Sequence, residues 1–104
     1  MRLKRGLYVM LARAKVQPDK NEEYLAFRRD EILPQMSAWG GYVFSILLRR
    51  LGTEREYLLV NAWESQAAVQ RWTATDAEAK LRAKAKGILA EPLESLGEYE
   101  EVHL

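Results

Sequence analysis

Four short stretches rich in apolar, β-branched and aromatic residues each predict a β-strand: residues 7–16, 42–50, 57–63 and 97–104. Apolar residues at helical spacing predict two helices, one over about 19–33 and one over about 65–90. The order β-α-β-β-α-β predicts an α+β, ferredoxin-like fold, a four-stranded antiparallel sheet with two helices on one face. No linker divides the chain, so residues 1–104 are expected to form one domain.

Capping and turn residues give these elements their expected ends. Asp19 is expected to cap the first helix, and Pro34 to end or kink that helix at the preceding residue. Gly52 marks the hairpin between the second and third strands. Ser65 is a good N-cap for the second helix. Thr75 begins a capping-box pattern, which predicts that this helix breaks and restarts there.

The third predicted strand is apolar on both faces, and two of the other three strands share this property. An antiparallel sheet with one solvated face normally alternates between apolar and polar residues. Because a monomer rarely exposes a large apolar surface, we expect the sheet to pack face to face against that of a second subunit in a homodimer. Leu58, Val60 and Ala62 form one face of this strand, and Tyr57, Leu59 and Trp63 form the other.

Strict alternation also predicts the orientation of two tyrosines. Tyr42 is expected on the same face of the second strand as Phe44, Ile46 and Leu48. Tyr99 is expected to face inward from the last strand.

Composition excludes several classes of protein. The formal net charge is +1, so no strongly basic surface indicates nucleic-acid binding. The RNA recognition motif shares this element order, but residues 56–61 lack its basic, glycine-containing strand motif. The absence of cysteine excludes disulfides and zinc–thiolate sites, and no metal-ligand spacing occurs. With no apolar run long enough to span a membrane, we expect a cytoplasmic protein.

Several short motifs occur in positions that fit one family. They are the strand-helix junction Trp63-Glu64-Ser65, the apolar pair Ala68 and Val69, Trp72 one turn later, the strand exit at residues 16–19, and Trp39-Gly40-Gly41-Tyr42 before the second strand. Together they resemble the antibiotic biosynthesis monooxygenase family of dimeric ferredoxin-like barrels. The resemblance implies a small cofactor-independent monooxygenase that acts on a phenolic or quinol substrate in an apolar pocket between helices and sheet.

The same family includes haem-degrading enzymes, and the chain departs from their pattern. That branch carries an Asn on the first strand and a His further along the second helix, where this chain has Ala12 and Arg82. Arginine cannot replace a neutral imidazole as an axial haem ligand. The single histidine, His103, is penultimate and typical of a frayed end. The haem-degrading branch is therefore disfavoured. A dimeric small-molecule-binding or accessory protein without turnover is the main alternative.

Two polar residues are the candidates for catalysis. Asn61 lies in an otherwise apolar strand, where burying an amide without partners costs about 1–3 kcal/mol. Its amide could orient a substrate oxygen, or it could make a cross-strand or intersubunit hydrogen bond. Arg82 could hold an anionic oxygen, or it could lie on a solvated helix face. Candidates for contact with a small aromatic ligand are Trp63, Trp72, Tyr24 and Phe27, and for Trp72 a purely structural role in the core is the alternative.

Overall fold

The computed structural model of the protein describes residues 6–104, so the first five residues of the predicted domain lie outside the described part. The strands are β1 (Tyr8–Lys15), β2 (Tyr42–Arg49), β3 (Glu56–Trp63) and β4 (Glu94–Glu100). They form one antiparallel sheet in the order β2-β3-β1-β4. This topology confirms the predicted α+β, ferredoxin-like fold.

The helical segments are α1 (Asn21–Phe27), a π-helical turn (Arg28–Ile32), α2 (Leu33–Ser37), α3 (Gln66–Thr73) and α4 (Asp76–Lys86). The first three are continuous along the chain. Of the two outcomes predicted for Pro34, an end or a kink, the helical chain does not end there; instead its geometry changes from π-helical to α-helical at Leu33, the residue before Pro34. The π-helical turn places the amide of Leu33 on the carbonyl of Arg28, five residues back. Pro34 then falls in the first turn of α2, where a missing N–H group leaves no helical hydrogen bond unmade.

Two of the three predicted helix starts are confirmed. The Ser65 hydroxyl accepts a hydrogen bond from the amide of Ala68 at 3.2 Å, at the start of α3. The Thr75 hydroxyl accepts one from the amide of Glu78 at 3.1 Å, and α4 begins there. The prediction for Asp19 is wrong. Asp19 has a positive φ of 66° in the turn, and no side chain caps α1.

The two faces of β3 divide as predicted. Tyr57, Leu59 and Trp63 belong to the buried core beneath the helices, with 2%, 5% and 1% of their surface exposed. Leu58 and Val60 point to the opposite face of the sheet and are half-buried. The core therefore occupies the space between the helices and one face of the sheet.

The predicted orientation of Tyr42 is wrong because β2 contains a bulge. The pairing with β3 shifts between Tyr42 and Phe44, which places Tyr42 opposite Trp63 and Phe44 opposite Ala62. One extra residue reverses the alternation of faces. Tyr42 consequently lies on the helix side, with its ring edge-on to Trp63 at a centroid distance of 5.6 Å.

The C-terminal elements also differ from the predictions. The helix ends at Lys86 rather than near residue 90, and β4 spans Glu94–Glu100 rather than residues 97–104. Tyr99 pairs with Val9, on the sheet face away from the helices, and is 52% exposed. The strand alternates without interruption from Gly97 to Glu100, so the prediction assigned its two faces the wrong way round: Glu98, opposite Met10, lies on the helix-facing side and Tyr99 on the other.

Gly41, just before β2, gives a testable prediction about the packing of strand against helix. Its φ is +92°, and a Cβ atom there would lie 2.4 Å from the Cβ of Ala68 in α3. Gly41→Ala should therefore lower the free energy of unfolding by about 1–3 kcal/mol through backbone strain and overpacking. Gly40→Ala is the matched control, since its added methyl group would meet nothing within 4 Å. Urea unfolding measures both, and equal stability of the two variants would contradict this packing.

Candidate active site

The structure buries one charged side chain against the sheet. Among residues 6–104, only Arg28 is both charged and buried, with 6% of its surface exposed. It is the first residue of the π-helical turn and lies four positions after the buried Tyr24. This spacing places both side chains on the same helix face, the one directed at the sheet.

Arg28 begins a row of hydrogen bonds that ends at the predicted Asn61. Its Nη2 donates to the hydroxyl of Ser45 at 2.9 Å. The Ser45 hydroxyl donates to Oδ1 of Asn61 at 2.5 Å. Ser45 and Asn61 are cross-strand partners on β2 and β3. Arg28, Ser45 and Asn61, which we call the polar row, therefore connect the helix layer to the sheet.

The positive charge of the polar row has no counter-ion among residues 6–104. No carboxylate in this part of the chain pairs with the guanidinium of Arg28, and the buried Nε of Arg28 makes no hydrogen bond. Burial lowers the pKa of Arg28, while the neighbouring Tyr24 and Tyr42 act in the opposite direction. An arginine nevertheless stays protonated in proteins. Burying an ion typically costs several kcal/mol unless a partner compensates, so this charge is stabilised only in part.

The two tyrosines beside Arg28 are neutral groups at physiological pH. Burial raises the pKa of Tyr24 and of Tyr42, and the guanidinium of Arg28 opposes this rise. Their hydroxyls can therefore donate or accept hydrogen bonds next to the polar row, but they do not act as ready bases.

The helices cover the middle of the sheet incompletely. Met10 pairs with Asn61 and Ala12 pairs with Leu59, so these residues share the helix-facing side of the sheet. Leu59 and the nearby Ala14 are buried, whereas Met10, Ala12 and Asn61 keep part of their surface exposed. We call this partly exposed strip of the helix-facing side of β1 and β3 the helix–sheet gap. Asn61, the outer end of the polar row, lies in it.

The four aromatic residues predicted to contact a ligand all lie in the core. Trp63, Trp72, Tyr24 and Phe27 are each no more than 5% exposed. Trp72 packs against Trp39 at a ring distance of 5.9 Å, and Tyr24 packs against Tyr57 at 5.6 Å. Packing is therefore their visible role, and contact with a ligand stays a prediction.

The structure does not bring Arg82 to Asn61. Its side chain is 61% exposed on α4, and Nη2 donates to Glu78 at 2.7 Å, one helical turn away. The catalytic role considered for Arg82 required a side chain directed at the pocket, and α4 directs it to solvent instead. His103 follows the end of β4, where its Nε2 lies 3.4 Å from Glu101.

Sequence reasoning missed two members of the polar row, Arg28 and Ser45. A signal for Arg28 was available, because a charged residue four positions after Tyr24 interrupts the apolar face of the helix. Ser45 similarly interrupts an apolar strand, but only the register of β2 against β3 reveals that it faces Asn61.

Two clefts lie away from these residues. One, of about 350 Å³, separates the π-helical turn from α4, with Glu31 and Lys84 among its lining residues. The other, of about 460 Å³, lies beside the β2–β3 hairpin at Glu54 and Arg55. Neither is lined by a predicted site residue.

Across residues 6–104, no helix is long and apolar enough to cross a membrane, and no cluster of three or more His, Cys, Asp or Glu side chains could hold a metal ion.

The fold and the interior site define a small α+β protein of the ferredoxin-like class. The family model for antibiotic biosynthesis monooxygenase matches residues 7–84, which is most of the chain. The chain belongs to this family, as its motifs suggested. No curated protein matches the sequence.

Solved structures show the same fold at low sequence identity. A Nitrosomonas europaea protein, provisionally described as an antibiotic biosynthesis monooxygenase, is 18% identical, with a TM-score of 0.83 and coverage of 99% of this chain and 97% of that one. A Caulobacter crescentus protein with the same provisional description is 21% identical, with a TM-score of 0.82 and coverage of 95% and 92%. SnoaB, a cofactor-independent oxygenase from Streptomyces nogalater, is 17% identical, with a TM-score of 0.76 and coverage of 95% and 96%. At these identities the likeness establishes the fold alone.

The unpaired charge of Arg28 predicts an unusual effect on stability. Arg28→Met removes a buried cation and keeps most of the side-chain volume. It should raise the free energy of unfolding by about 1 kcal/mol or more, because replacing buried ions with apolar groups is often stabilising. Arg29→Met is the matched control, since Arg29 is 71% exposed and pairs only with Asp30, so its change should stay within about 0.5 kcal/mol. A marked loss of thermal stability in Arg28→Met alone would show that Arg28 is needed for the fold.

Proposed function

We propose that the protein binds a phenolic or quinol aromatic compound in the helix–sheet gap and oxidises it with dioxygen, without a cofactor. The observation that carries this proposal is the position of Asn61 in the helix–sheet gap. Asn61 is a polar group among apolar residues, and Ser45 links it by hydrogen bonds to the buried cation of Arg28. Membership of the family supports an oxygenase reaction, and SnoaB provides a structural relative described as a cofactor-independent oxygenase.

The chemistry requires little from the protein because the substrate supplies the electrons. An electron-rich aromatic anion can transfer an electron directly to dioxygen. With an anthrone-like substrate, a CH₂ group becomes a carbonyl, one oxygen atom enters the product, and the other leaves as water with the two hydrogens. The protein then has to exclude water and hold the ring in one orientation.

All the predicted site residues except Arg82 have a role in this proposal. Asn61 donates a hydrogen bond to the substrate oxygen and orients the ring. Trp63, Trp72, Tyr24 and Phe27 supply the apolar packing behind the gap, and they hold the polar row in place. Arg82 has no role, because its guanidinium pairs with Glu78 in solvent.

Oxygen uptake tests this reaction directly. The wild-type protein should consume dioxygen in the presence of an anthrone-like phenol or a quinol. Asn61→Ala should lower kcat/KM by about 10- to 100-fold, since it removes the proposed positioning group. Arg82→Met should match the wild type. Uptake that depends on Arg82 and not on Asn61 would reject this assignment of the site.

A second function is favoured by one specific observation. Within the described chain, no carboxylate or imidazole hydrogen-bonds to the polar row, and the carboxylate of Glu98, opposite Met10 on the same side of the sheet, hydrogen-bonds to Tyr8 instead. A dimeric protein that binds an aromatic ligand without turnover needs no base. Ligand binding measured by calorimetry, together with no oxygen uptake, would select this alternative.

We further propose that two copies associate through the sheet faces directed away from the helices. This face is apolar and open in the single chain, with Phe44, Ile46 and Leu48 exposed to 36%, 45% and 47%. Monomers rarely expose a contiguous apolar surface of this kind. A second copy would supply a matching apolar face. The face comprises Val9 and Leu11 of β1, Phe44, Ile46 and Leu48 of β2, Leu58, Val60 and Ala62 of β3, and Tyr99 of β4.

Sedimentation tests the proposed assembly. The wild-type protein should sediment as a dimer at micromolar concentration, and Ile46→Lys should shift it towards the monomer, because the substitution buries an unpaired charge in the interface. Leu51→Lys is the matched control, since Leu51 is 94% exposed in the hairpin and lies outside the sheet face. A wild-type protein that sediments as a monomer would overturn the proposed dimer.

A further inference from the structure

The hydrogen bonds of the polar row all run in one direction. Arg28 has only donors, so Ser45 accepts from it and turns its own hydrogen towards Asn61. The carbonyl oxygen of Asn61 accepts that hydrogen, which leaves its amide Nδ2 as the end of the row. No acceptor within residues 6–104 takes a hydrogen from this Nδ2. The polar row therefore presents a hydrogen-bond donor to the helix–sheet gap.

We propose that the polar row binds the ring oxygen of an aromatic ligand as a phenolate, with Arg28 as a positioning residue that acts through Ser45 and Asn61. This inference rests on the aromatic ligand of the proposed function, and it adds the charge state in which that ligand binds. The donor at the end of the polar row selects a ligand oxygen that accepts a hydrogen bond. The buried charge of Arg28 behind this donor favours an anionic oxygen over a neutral oxygen.

The burial of Arg28 is the first argument for an anion. The guanidinium lacks a carboxylate partner, and its Nε is buried without a hydrogen bond. Water screens such a charge weakly in the interior, so its field acts strongly on a nearby ligand. An anionic oxygen at Asn61 would supply the missing negative charge, whereas a neutral phenol would leave the charge uncompensated.

The alignment of the bonds is the second argument. A hydroxyl that accepts from a cation becomes a stronger donor, and the effect passes along a hydrogen-bonded row. The distance of 2.5 Å between Ser45 Oγ and Asn61 Oδ1 is at the short end for two oxygen atoms. The amide of Asn61 is polarised in turn, which strengthens its bond to an anion more than its bond to a neutral oxygen.

Binding as the phenolate also removes the need for a base in contact with Asn61. A site that favours the anion lowers the pKa of the bound phenol, so the proton leaves to solvent without a dedicated acceptor in the protein. The bound anion is then the electron-rich form that can react with dioxygen. For the alternative without turnover, the same preference simply sets which ligands bind.

Two matched ligands test the inference. 4-Nitrophenol changes its visible absorption on ionisation, and 4-nitroanisole has a similar ring but cannot ionise. The wild-type protein should bind the phenolate at least about tenfold more tightly than the neutral phenol, which appears as a fall of about one unit in the pKa of the bound ligand. Arg28→Met should abolish this fall, Ser45→Ala should reduce it, and Arg29→Met should retain it. Ser45→Ala serves as the second variant should Arg28→Met fail to fold.

The outcomes separate this inference from the proposed function. If both ligands bind but the pKa of the bound nitrophenol equals the free value, the role of the polar row is overturned and the aromatic pocket stays intact. The same conclusion follows if Arg28→Met and Ser45→Ala leave that pKa unchanged. Failure of both ligands to bind at any pH would reject the aromatic pocket, and the inference with it. A fall in the pKa of the bound nitrophenol that Arg28→Met abolishes, Ser45→Ala reduces and Arg29→Met retains would support the inference.

Discussion

The hydrogen bond from Arg28 to Ser45 joins the helix layer to the sheet, and Arg28 stands where the helix departs from α-helical geometry. Arg28 opens a π-helical turn, a conformation that is rare and is often found at functional sites. The turn joins α1 to α2 and accommodates Pro34. The same irregularity therefore keeps the helical chain continuous and carries the residue that places a positive charge inside the protein.

Strand β3 connects this charge to the rest of the molecule. On one face, Tyr57, Leu59 and Trp63 complete the core, and Asn61 is the single polar residue between them. An amide at this position is tolerated because Ser45 satisfies its carbonyl and the helix–sheet gap leaves its N–H group open. The core and the site thus share one strand face, and the tight packing of the core fixes the position of Asn61.

Features governed by local interactions were predictable from the sequence. The caps at Ser65 and Thr75 and the two faces of β3 need only neighbouring residues, and they occur as predicted. Tyr42 was placed on the wrong face because the bulge in β2 depends on how the strands pair, which single-strand alternation does not encode. Tyr99 was placed on the wrong face because alternation separates the two faces of a strand without showing which of them the helices cover.

The candidate site was predictable to a smaller extent. Asn61 was identified as a polar residue in an apolar strand, and Arg82 was considered because arginine suits anionic oxygens. The structure instead places a different arginine beside Asn61. An arginine in a helix is usually solvated, so burial of Arg28 depends on contacts with Ser45 and two tyrosines that only the tertiary structure creates.

The two faces of the sheet are linked at the polar row. Ser45 lies between Phe44 and Ile46, and Asn61 between Val60 and Ala62, so the backbone that holds the polar row also carries the apolar outer face. A partner packed on that face would restrain β2 and β3 at the positions where the polar row requires a fixed geometry.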